Sequence, residues 1–80
     1  MATEKFFSAF LDKLDSLERL SDKYWGKQQR AEVNGDIANA ERMDHKMDCI
    51  NAEMNGMLTT LHLLGYVLQY QNGRPVIVEA

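Results

Sequence analysis

Glu41, His45, Asp48 and Cys49 are the residues of this chain best equipped for chemistry. Glu41, His45 and Cys49 follow one another at i,i+4 steps, and Asp48 stands three residues after His45, so on a helix the four side chains share one side. Carboxylate, imidazole and thiolate are oxygen, nitrogen and sulfur donors to a divalent cation, which makes Glu41, His45 and Cys49 the candidate metal ligands. Three donors along one straight helix still need a fourth from another element. The same helix turns Met47 and Ile50 inward, which sends His45 and Asp48 toward water. The expectation is a charged helix face with local ion pairs and no cofactor, with a metal-binding helical protein as an alternative.

Acid-base or nucleophilic catalysis needs groups that converge from different elements into a pocket. No serine, cysteine and histidine arrangement is set by spacing here, and the expected function is non-enzymatic. Asp44 and Asp48 form an i,i+4 like-charge pair that is mildly unfavourable unless something positive neutralises it. The pair reads either as a solvated acidic face or as the docking site of a basic protein partner.

The balance of charge bounds the partners. Nine Lys and Arg against twelve Asp and Glu give a formal net charge of -3. Residues 1–35 carry six basic and six acidic side chains, whereas residues 36–80 carry three basic and six acidic. No overall field draws in a phosphate backbone. A local positive patch at Lys23, Lys27 and Arg30, extended across a dimer by Arg42 and Lys46, keeps a small nucleic-acid-associated regulator as an alternative. Tyr24 and Trp25 beside that patch could stack on bases, or they cover the open end of a core; Tyr66 and Tyr70 would do the same at the opposite end.

The elements that must position these residues are written in apolar spacing. Ile37, Ala40, Met43, Met47, Ile50, Met54, Met57, Leu61 and Leu64 form a seam whose steps alternate between 4 and 3 from Met43 onward, as in a helix packed along its length on another. Its methionines are adaptable fillers suited to a core or to a partner groove. An earlier helix shows the stripe Phe7, Phe10, Leu14, Leu17, Ser21 and Tyr24, widened by Phe6, Leu11, Leu20 and Trp25. So wide a stripe touches more than one neighbour.

Thr3 is placed to cap the first helix. Gly26 is read as a helical interior residue and Asn34-Gly35 as the break, since an isolated glycine costs a helix only about 1 kcal/mol. The phrase Gly35-Asp36-Ile37-Ala38-Asn39-Ala40-Glu41 resembles the turn and second helix of a tetratricopeptide repeat. That resemblance covers these residues alone, recurs nowhere else, and implies a helix-turn-helix boundary. After Gly65, Tyr66, Leu68 and Tyr70 alternate with Val67, Gln69 and Gln71 before Asn72-Gly73, and Arg74-Pro75-Val76-Ile77-Val78 follows. Two such runs separated by Asn-Gly predict a β-hairpin. The competing reading extends the second helix through Leu68 and leaves a single edge strand or a disordered end.

The expected architecture is thus mainly α and a single domain. It comprises an antiparallel helical hairpin (helix 3–33, turn 34–35, helix 36–64) and a short C-terminal β-hairpin (66–71 and 74–79). Two copies about a two-fold axis would form a four-helix bundle, with Phe6, Phe10, Leu11, Leu14, Leu17, Leu20, Met47, Met54 and Leu61 at the oligomer interface. The expected role is a self-associating interaction or adaptor module, with a protein partner at the acidic face of the second helix or at the C-terminal hairpin. One cysteine permits no intrachain disulfide, the N-terminal stretch lacks the apolar run of a signal peptide, and no segment reaches the roughly 18 apolar residues of a membrane span. A cytoplasmic location without membrane contact is expected.

Overall fold

Helix α1 spans Ala2–Val33 and helix α2 spans Ile37–Leu63, and the turn between them is built from local hydrogen bonds. The Asp36 amide donates to the Ala31 carbonyl at 2.8 Å and the Gly35 amide to the Glu32 carbonyl at 3.1 Å. With Gly35 at φ 74°, this is a Schellman closure, which glycine adopts without the Cβ penalty of other residues. Asp36 then starts the next helix, its Oδ1 accepting from the Asn39 amide at 3.2 Å. One residue serves as the last of one cap and the first of the next, so the chain reverses within three residues, 34–36. The computed structural model describes residues 2–80, and the side chains of 3–80.

The two seams close on each other within the one chain. Phe10, Leu14, Leu17 and Ala31 of α1 are buried, with Phe7, Ser21, Tyr24 and Gln28 half-buried between and beside them; Ala40, Met43, Ile50 and Leu61 of α2 are buried, with Met47, Met54 and Met57 half-buried. Both rows step by 3 and 4, the repeat of an antiparallel coiled-coil pair. Ala31 and Ala40 stand nearest the turn, where the helices converge and only small side chains fit.

Both ends of the expected α2 seam are displaced from it. Ile37 is 70 % exposed and Leu64 56 % exposed. The steps from Ile37 to Ala40 to Met43 are both of three residues, which carries Ile37 off the seam by the time the helix begins. Leu64 is the C-cap rather than a helical residue, and the Phe7 ring packs edge-on against Tyr66 with centroids 4.9 Å apart. The wide α1 stripe is likewise narrower in fact, since Phe6 (41 %), Leu20 (36 %) and Trp25 (58 %) stay exposed and only Leu11 is half-buried. Trp25 therefore caps no core, and neither does Tyr70. Thr3 lies inside the first turn of α1 rather than ahead of it.

At the open end, Gly65 (φ 90°) turns the chain into strands β1 (Tyr66–Gln71) and β2 (Arg74–Glu79). Asn72 at φ 55° and Gly73 at φ 77° make a two-residue turn with both positions left-handed, the type I′ geometry that matches strand twist. The antiparallel register pairs Val67 with Val78 and Leu68 with Ile77, and the Ala80 amide donates to the Gly65 carbonyl at 3.0 Å, tying the far end of β2 to the helix cap. Tyr66, Leu68 and Ile77 pack on Phe10, Leu14 and Leu61, together with Leu11, Met54, Met57 and Leu58. The opposite face of the ribbon carries Val67, Val76 and Val78, each half-buried.

The result is mainly helical: two long helices and a two-stranded antiparallel sheet. Its extents are 50 × 25 × 19 Å and its radius of gyration 15.7 Å, against about 12 Å for a compact chain of this length. No helix among the described residues is long and apolar enough to cross a membrane.

Candidate interaction site

A helical hairpin two helices thick has two broad sides, set by the residues that flank its seam. On one side stand Leu11, Glu18, Trp25 and Glu32 of α1 with Ile37, Asp44, Asn51 and Leu58 of α2. On the other stand Phe6, Lys13, Leu20 and Lys27 of α1 with Asn39, Lys46, Glu53 and Thr60 of α2. Contacts across the seam fix this assignment. Lys13 Nζ lies 3.6 Å from Glu53 Oε1, and the Nζ atoms of Lys27 and Lys46, one from each helix, stand 6.0 and 5.1 Å from the Tyr24 ring centroid.

Most charges separate between these sides, apart from Arg19, which pairs with Asp15 at 3.0 Å, and Asp36, which lines the basic groove. Asp15, Glu18, Asp22 and Glu32 of α1 join Glu41, Asp44 and Asp48 of α2 on the first. Lys13, Lys23, Lys27 and Arg30 join Arg42 and Lys46 on the second, where Glu53 is taken up by Lys13. Near the turn each side holds a shallow groove beside the small residues Ala31 and Ala40. The acidic groove, about 330 Å³, is lined by Gln28, Glu32, Ile37, Ala40, Glu41 and Asp44. The basic groove, about 400 Å³, is lined by Lys27, Arg30, Ala31, Asn34, Asp36, Asn39 and Met43. A net charge of -3 thus hides a molecule acidic on one side and basic on the other.

The β-hairpin occupies the remaining length of the acidic side. Leu11 and Leu58 share a cluster with Tyr66, Leu68 and Ile77 and are half-buried, whereas Phe6, Lys13, Glu53 and Thr60 across the seam stay exposed. Only the half nearer the turn is open on the acidic side; the basic side is open along its length.

Several expected site residues fall elsewhere. Phe10, Leu14, Leu17 and Leu61 are buried between the helices of one chain, Leu61 completely (0 % exposed), while Leu11, Met47 and Met54 are half-buried there. Phe6 and Leu20 alone of the expected interface row are exposed. Lys46 needs no second copy to reach the basic patch, because α2 folds it back over the same Tyr24 ring as Lys27, and Arg42 stands one turn before it on α2. Glu41, His45 and Cys49 are all exposed on the outer surface of α2, and among the described residues no three His, Cys, Asp or Glu side chains are grouped to hold a metal ion.

Sequence reasoning recognised the acidic face of the second helix but not its continuation through Glu18 and Glu32, nor Trp25 between them. The signal was present as a seven-residue spacing, Glu18-Trp25-Glu32 on one flank and Lys13-Leu20-Lys27 on the other.

The amount of open surface is itself informative. The chain exposes 5889 Å², roughly 1,000 Å² more than a folded monomer of 9.2 kDa exposes by the usual scaling of surface with mass. One partner in a stable interface covers about 800 Å². Comparison with known proteins finds no family model, no curated protein and no solved structure that matches the chain.

Proposed function

We propose that this protein is a non-enzymatic protein-protein interaction module that works by associating with itself, two hairpins packing side against side as a four-helix bundle. The observation that carries the reading is the surplus of surface. A rod 50 Å long with Phe6, Leu20, Trp25, Ile37 and Val33 exposed has about the excess area that one more copy would cover. The buried α1 and α2 seams are the rigid scaffold, and the flanking rows are the contacts. A cytoplasmic setting goes with this reading, since the exposed lone thiol of Cys49 stays free in a reducing compartment. Sedimentation equilibrium tests it: the expected mass is a multiple of 9.2 kDa, and a mass of one chain over the whole soluble concentration range would overturn it.

One specific observation favours a second reading, a small nucleic-acid-associated protein. Lys27 and Lys46, one from each helix, stand over the Tyr24 ring, and helix spacing puts Lys23, Arg30 and Arg42 on the same side of the chain. Binding of a single-stranded or duplex oligonucleotide that weakens steeply with salt is its expected signature; the absence of any binding at low salt removes it.

A further inference from the structure

We infer that copies of this chain associate unlike side to unlike side, the carboxylate side of one hairpin resting on the lysine and arginine side of the next. The inference rests on the self-association proposed above and specifies its geometry. Two rows of α1 carry it. Glu18, Trp25 and Glu32 form an acid-apolar-acid row at seven-residue steps, and Lys13, Leu20 and Lys27 form a base-apolar-base row at the same steps. At 1.5 Å per residue both rows repeat every ~10.5 Å. Laid on one another, in either direction, they set Glu against Lys at both ends and the Trp25 indole against Leu20 in the middle. One of these lysines, Lys13, already lies 3.6 Å from Glu53 of its own chain. Trp25 is 58 % exposed and Leu20 36 % exposed, so each has apolar surface to hide.

The second helix reinforces the match, with Asp44 and Glu41 on the acidic side and Lys46 and Arg42 on the basic side. A two-fold pairing of either side with itself does the reverse and places carboxylate on carboxylate or ammonium on ammonium, a juxtaposition that disfavours the wrong partner. The roughly 1,000 Å² of surplus surface is close to what a single contact of standard size takes from one copy. A contact between unlike sides is heterologous: each added copy leaves one acidic and one basic side free, and growth continues unless the rotation closes a ring.

The experiment exchanges the charges. Glu18→Lys with Glu32→Lys gives α1 two base-apolar-base rows, and Lys13→Glu with Lys27→Glu gives it two acid-apolar-acid rows. Helical circular dichroism checks that each variant is folded. The expected result is that the wild type assembles, that its assembly weakens at least tenfold between low and high salt, that each variant alone sediments as one chain, and that an equal mixture of the two assembles again. Salt dependence of the wild type reads the same contact without relying on either variant. An assembling wild type that ignores salt and both exchanges overturns the unlike-side contact while leaving self-association standing. A wild type that never assembles overturns both. If the mixture fails to assemble although both variants are folded, the proposed complementarity is wrong. Displacement of assembled copies by a mixed-sequence oligonucleotide held on the Lys27 side, with no recovery in the mixture, would make nucleic acid the occupant instead.

Discussion

Among the described residues Leu61 is the one large side chain with no exposed surface, and it lies where α1, α2 and the β-ribbon meet. Phe10 and Leu14 approach it from α1, and Tyr66, Leu68 and Ile77 pack on the same cluster. Removing its side chain empties a site bounded on three sides, which leaves little room for collapse. Leu61→Ala is expected to cost about 2–5 kcal/mol, read from urea unfolding at fixed protein concentration, because association shifts apparent stability. The same substitution at Leu63, 83 % exposed, should cost less than about 0.5 kcal/mol. Glu41, His45 and Cys49 are exposed along α2, and among the described residues no three such donors are grouped to hold a metal ion, so excess chelator should leave the thermal unfolding midpoint unchanged. A chelator-induced loss of helix would contradict this.

Single elements show how much was legible in the order of residues. The β-hairpin was, because Asn72-Gly73 can satisfy a turn with two positive φ angles and the alternation on either side assigns each residue a face. The interhelical turn was legible too: Asn34-Gly35 ends α1 and Asp36 begins α2. Periodicity could not mark where the seam stops. Ile37 and Leu64 continue the apolar pattern in sequence, yet one precedes the register and the other follows the last helical turn. The pairing of flanks was also invisible, because whether Lys46 joins Lys27 or faces a second chain depends on how α2 returns along α1. Gly26 offers a check on the continuous first helix. A Cβ added there meets nothing within 4 Å, so Gly26→Ala should stabilise the fold by about 0.5–1 kcal/mol through helix propensity. A destabilisation would mean that α1 bends or breaks at that point.

Taken whole, the molecule has a core sufficient to align two helices and too slim to round them into a compact body. Its buried residues run in a single file between α1 and α2, widening only at the Leu61 end. Everything else is side: one carboxylate-rich, one lysine- and arginine-rich, each interrupted by an exposed apolar residue. That arrangement makes association the central claim, and mass in solution is its most direct test. Sedimentation equilibrium of the wild-type chain, at low and at high salt, should give a mass above 9.2 kDa that grows with concentration and falls as salt is added. A chain that stays at 9.2 kDa under every condition would contradict the account.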